Sequence, residues 1–188
     1  MSTEDTSIRR HQLTVDEYYR MAEVGILAPD ARVELIEGEI VDVAPIGSRH
    51  SSTVNRLSRA LTLAVGTQAI VQAQGPVRLG MRSEPLPDLA VLRARDDFYS
   101  KSHPTAPDVL LVVEVANTTL FYDRSVKMPL YARHGVLEAW LIDLQANRLH
   151  CFAQPADGVY QRTSTIAVPG ATMLSGLPDV SVDLAGIF

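Results

Sequence analysis

One carboxylate interrupts an otherwise apolar run. Glu114 stands inside Val-Leu-Leu-Val-Val-Glu-Val-Ala, residues Val109–Ala116, a pattern that reads as a strand buried on both faces. An ionised carboxylate in such a strand costs several kcal/mol unless something positive faces it. The candidates are a metal ion, Lys127 downstream, or both. A metal needs a second anionic ligand, and Asp88 opens another apolar strand, Asp88-Leu89-Ala90-Val91-Leu92. An Asp, a Glu and a Lys at the ends of neighbouring strands suit the cleavage of phosphodiesters. Asp88 and Glu114 would hold Mg²⁺ or Mn²⁺ through hard oxygen ligands. The metal would polarise the phosphate and lower the pKa of a bound water. Lys127 would orient that water and offset charge developing on phosphorus.

The choice of Asp88 rests on geometry. Pro-Asp occurs four times, ending at Asp30, Asp88, Asp108 and Asp179. Asp108 lies six positions before Glu114 on the same strand, about 20 Å away at about 3.3 Å per residue. Carboxylates on one Mg²⁺ each sit about 2.1 Å from it, so these two cannot share an ion. Asp30 reads as a helix-exit residue and Asp179 lies in a tail with no apolar strand around it. The cation stands out as well. The chain holds 15 arginines but only two lysines, Lys101 and Lys127, and a lysine among arginines marks a place for a compact point charge. Lys101 falls in a polar loop.

The elements that must position these groups follow from the pattern. Thr14-Val15-Asp16-Glu17 is a capping box opening a helix that runs to about Gly25. Residues 32–37 and 39–43 read as a hairpin turning at Gly38. Residues 48–65 form an amphipathic helix stopped by Gly66. Strands are expected at 69–74, 77–81, 88–92 and 109–116. A helix over 123–134 ends at Gly135, with Pro129 accommodated if regular turns begin near Val126. Strands at 138–143, 148–153 and 159–166 complete a meander, followed by a tail of weak strand signals. The fold class is α/β or α+β: a mixed, mostly antiparallel central sheet flanked by helices. Residues 1–13 read as a loose leader and 14–188 as one domain.

Composition narrows the field. A chain of 188 residues with 46% hydrophobic and 21% charged residues has room for one sizeable core. A net charge of −5 argues against a coat for nucleic acid, though not against a local contact with it. Cys151 is the only cysteine, which excludes an internal disulfide and a multi-cysteine zinc site. The acidic start and the lack of an apolar run near the roughly 20 residues of a membrane helix set the expectation of a cytoplasmic protein. The histidines have no zinc-ligand spacing, and no glycine-rich phosphate loop or Gly-x-Ser-x-Gly elbow occurs.

The ordered segments resemble the Uma-two family of restriction endonucleases, within the PD-(D/E)xK nuclease superfamily. They are Val33-Glu34-Leu35-Ile36-Glu37-Gly38-Glu39-Ile40, His50 opening a helix, Leu86-Pro87-Asp88-Leu89-Ala90-Val91, Leu111-Val112-Val113-Glu114-Val115, Asp123 with Lys127, and Leu130-Tyr131-Ala132 through to Trp140-Leu141-Ile142-Asp143. The resemblance implies a restriction-endonuclease-like fold and a Mg²⁺- or Mn²⁺-dependent endonuclease acting on DNA. The superfamily pattern puts a Lys two positions after the Glu, where this chain has Ala116. The resemblance implies that the lysine has moved to the following helix, as Lys127. Glu34 is then a further candidate ligand, and His50 a candidate phosphate contact or accessory group. Asp123 is placed to steer Lys127 by an ion pair four residues away, or else to interact with the helix dipole. Arg49, Arg56 and Arg59 share a helix face and are candidate phosphate contacts, with a plain solvated face as the alternative. Tyr131 and Trp140 read as core. The alternative function is an inactive nuclease-like fold that binds nucleic acid or protein, and a weaker one is an unrelated hydrolase on this scaffold. A homodimer would suit cutting both strands of a duplex.

Overall fold

The computed structural model describes residues 10–28, 30–43 and 45–188. Helix α1, Val15–Glu23, starts as its capping box dictates: Glu17 N–H donates to Thr14 Oγ1 and Thr14 N–H donates back to Glu17 Oε2. Strands β1 (Val33–Ile36) and β2 (Glu39–Asp42) form a separate antiparallel pair. Their turn puts Glu37 at φ 51° and Gly38 at φ 83°, the left-handed pair of a tight hairpin. Helix α2, Ser48–Val65, buries Val54, Leu57, Leu61 and Val65 on one face.

The main sheet has six strands in sequence order: β3 (Ala69–Ala73), β4 (Leu89–Arg93), β5 (Val109–Ala116), β6 (Glu138–Asp143), β7 (Arg148–Ala156) and β8 (Val159–Ile166). Only β5 and β6 run parallel, and the chain between them crosses over as helix α3, residues 120–133. The sheet is therefore mixed and mostly antiparallel, flanked by helices, as expected. Its faces feed two cores. Leu111, Val113 and Val115 of β5 join the cluster under α2 and the C-terminal hairpin. Val112 and Ala116 join the cluster under α3, with Met128, Leu130 and Tyr131. Alternation along the strand sends Glu114 to the α3 side.

Three elements differ from expectation. Residues 77–81 form no sheet strand. Val77 N–H donates to Pro85 O and Leu79 N–H to Ser83 O, so this segment folds back on itself about Gly80 (φ 77°) while burying Val77 and Leu79. The tail instead supplies a hairpin, β9 (Ala171–Leu174) with β10 (Leu177–Asp183), whose Val180 and Val182 are buried in the α2-side core. Helix α3 begins three residues before the expected start at Asp123, as the contiguous stretches Leu120–Tyr122, Asp123–Lys127 and Met128–Arg133. Its middle stretch is a π-turn in which Met128 N–H reaches back to Asp123 O. One extra residue enters the turn, just before Pro129, which has no N–H to continue an ordinary ladder.

A buried carboxylate ties the C-terminal hairpin to the sheet. Trp140 Nε1 donates to Glu138 Oε1 and Ser175 N–H to Glu138 Oε2, each at 2.7 Å. Glu138→Ala leaves both donors without a partner and should destabilise the fold by about 3 kcal/mol in urea titration. A loss under about 1 kcal/mol would show that the tie contributes little.

Candidate active site

The hydrogen-bond ladder sets the first two acids side by side. Leu89 pairs with Val113 across β4 and β5, which puts Asp88 beside Glu114 at the sheet end. Asp88 Oδ2 accepts the Val115 N–H at 2.9 Å and lies 3.0 Å from His50 Nε2 on the first turn of α2. Asp88 is thus fastened both to the strand that carries Glu114 and to a helix.

Glu114 Oε1 lies 3.3 Å from Lys127 Nζ and accepts the Tyr131 hydroxyl at 2.6 Å. Lys127 and Tyr131 are four residues apart across the end of the π-turn, so both tips reach one oxygen. The ammonium is shared. Glu34 Oε1, from β1, accepts Lys127 Nζ at 2.9 Å and Leu86 N–H at 2.8 Å. Glu34, Glu114 and Lys127 are all buried, at 2%, 3% and 7% exposure. Lys127 therefore reaches the face of β5 on which Glu114 lies, the face that position 116 shares by alternation.

Asp123 does not pair directly with Lys127. Its Oδ2 accepts the Thr119 hydroxyl at 2.6 Å. The three arginines do not line the cavity either. Arg49 donates to Asn147 Oδ1, and Arg56 to the carbonyls of Gly186 and Phe188. Arg59 is exposed.

Glu34, His50, Asp88, Glu114, Asp123 and Lys127 line one cavity of about 510 Å³, together with Tyr122 and the Asn117–Thr119 turn. Five carboxylates, Asp42 included, share it with Lys127, Arg32 and His50. Burial pushes the Glu114 carboxyl up to about 8; Lys127 opposes this, while Asp123, Asp88 and Glu34 add to it. Burial likewise raises Asp123, against the Thr119 bond. Burial alone would lower Lys127, but Glu114 and Glu34 outweigh it and keep the amine charged. The Asp88 bond raises His50. Lys127 and Arg32 together leave the pocket short of positive charge.

A divalent cation would supply it. No group of three or more His, Cys, Asp or Glu side chains placed to hold a metal occurs among the described residues. Mg²⁺, however, keeps several waters and is commonly held by one or two carboxylates plus substrate phosphate. The bonds above use Asp88 Oδ2 and Glu114 Oε1, leaving Oδ1 and Oε2 for such an ion. Two hard oxygens from adjacent strands fit that mode.

Sequence reasoning placed Tyr131 in the core, and it is there, but its hydroxyl also serves Glu114; the four-residue spacing from Lys127 was the available signal. The contacts from Leu86 N–H and Val115 N–H are main-chain groups with no side-chain signature.

Lys127→Met strands two buried carboxylates and should cost about 3–5 kcal/mol of stability, read by urea titration; a change under about 1 kcal/mol would contradict a buried ion pair. The sign for Glu114 follows from linkage. Its folded value lies above the ordinary 4.5, so the folded state holds the extra proton and stability falls as pH rises from 4.5 to about 8. His50, also raised, works in the same direction. In chelator, the wild type should lose melting temperature relative to Glu114→Gln across that window. Parallel profiles would exclude a raised Glu114.

Residues 15–185 match the Uma2 family, whose description is "Putative restriction endonuclease". No curated protein matches. Among solved structures, the chain is similar to a "putative nuclease belonging to DUF820" from Anabaena variabilis, with a TM-score of 0.67 and 17% identity over 91% of this chain and 94% of that one. At that identity the likeness concerns the fold. The family match spans nearly the whole chain, and the protein is a member of the Uma2 family.

Proposed function

We propose that the protein is a metal-dependent endonuclease that hydrolyses DNA phosphodiester bonds in the cavity of Asp88, Glu114 and Lys127. The observation that carries this reading is the buried ammonium 3.3 Å from Glu114 in a pocket that Asp88 also lines. The family description supports a nuclease of the restriction type. Mg²⁺ or Mn²⁺ held by Asp88 and Glu114 would polarise the phosphate and lower the pKa of its water. Lys127, kept charged by Glu34 and Glu114, faces the charge that develops on the phosphoryl oxygens. Val115 N–H and His50 fix the Asp88 carboxylate before any ligand arrives, so little reorganisation is needed on binding. The partner in this reading is DNA. Two copies acting together as a homodimer would cut both strands. No described helix is long and apolar enough to cross a membrane.

A second reading keeps the fold and the nucleic-acid contact without turnover. It is favoured by the sharing of the Lys127 ammonium between two carboxylates and by the net charge of −5.

Single- and double-stranded DNA should be cut in Mg²⁺ or Mn²⁺. Asp88→Asn keeps the shape of the side chain and should lower the rate by about a hundredfold or more, as should Glu114→Ala, with folding checked by circular dichroism. Cleavage that survives both changes refutes the assignment. Binding without cleavage by the wild type supports the second reading.

A further inference from the structure

Beside the acidic cavity lies a second hollow of about 370 Å³, lined by Asn117, Thr118, Leu120, Asp143, Gln145 and Ala146. It shares Asn117 and Thr118 with the first. The two hollows adjoin at that ridge, so a polymer with one phosphate at Glu114 can seat its neighbouring unit in the second.

Its chemistry differs from its neighbour's. No Lys or Arg lines it, so it offers a phosphate no charged partner. Its one acid, Asp143, is turned to the backbone: Oδ1 accepts Gln145 N–H at 2.9 Å and Ala146 N–H at 3.0 Å. Gln145 Nε2 donates to Asn117 O at 2.6 Å. That bond holds the amide across the hollow and leaves its carbonyl oxygen and second N–H available. Leu120 and Ala146 add apolar surface. Neutral donors and acceptors above an apolar surface suit a flat, uncharged heterocycle with polar edges.

We propose that this hollow is a nucleobase subsite, in which Gln145 reads the base next to the cleaved phosphodiester. The assignment rests on the nuclease reading of the adjoining cavity and adds base selectivity to it. Gln145 and Asn117 are exposed, and neither takes part in holding the cation or lysine.

The test is cleavage of oligonucleotides with randomised flanks in Mn²⁺, with the cut ends sequenced. The wild type should prefer certain bases at one position beside the cut. Gln145→Ala should flatten that preference by roughly fivefold, one hydrogen bond's worth, with the total rate held within about threefold. Gln145→Glu, which cannot donate to Asn117 O and so loses that tether, should also flatten the preference, with any remaining bias toward bases that present an amino group. The Mn²⁺-induced rise in melting temperature should be equal in all three proteins. A flat wild-type profile, or one unchanged in both variants, overturns the subsite and leaves the nuclease reading standing. A wild type that takes up Mn²⁺ and cuts nothing removes the nuclease reading, and the subsite falls with it.

Discussion

The site depends on one buried ammonium held between two carboxylates. Lys127 comes from α3, Glu34 from the two-stranded sheet and Glu114 from the six-stranded one. The pair Lys127–Glu34 joins residues 93 apart in sequence. A charge taken this far out of water is tolerated only when its partners are already in place. The ion pair therefore works as a registration device as well as a chemical group: α3, β1 and β5 must all be seated for it to form. Tyr131 and Leu86 N–H each add a hydrogen bond to one of the two carboxylates.

Much of this was legible from residue types. Glu114 in an apolar run demanded a positive partner, and the only lysine outside the polar loop proved to be that partner. The capping box at Thr14, the turn at Gly38 and the stop at Gly66 each carry a local chemical reason, and the structure follows them closely. What could not be read is what local pattern does not encode. Residues 77–81 alternate like a strand, yet Val77 and Leu79 bond back within their own loop while Arg78 N–H reaches Pro104 O, so they join no ladder of the main sheet. The β9–β10 hairpin has weak propensity and is held by burial of Val180 and Val182. The π-turn depends on hydrogen-bond length along a helix, which side-chain spacing alone does not reveal, and Asp123 bonds to Thr119 where a pairing with Lys127 was expected.

The electrostatics of the cavity and its shape point the same way. Burial raises Glu114 and Asp123 although Lys127 stands among them. A pocket this acidic repels a bare phosphate and favours one that arrives with a cation. The arginines of α2 do not relieve it, since Arg49 and Arg56 are engaged elsewhere in the chain.

Placing the cation on the helix also releases the end of β5. Ala116 carries no long side chain, and its carbonyl accepts Leu144 N–H at 2.9 Å. The chain then turns directly into the Asn117–Thr118 ridge between the two hollows. Under the proposed roles, reactivity and recognition sit on different segments, so the ridge can diversify in sequence while the lysine behind it stays fixed.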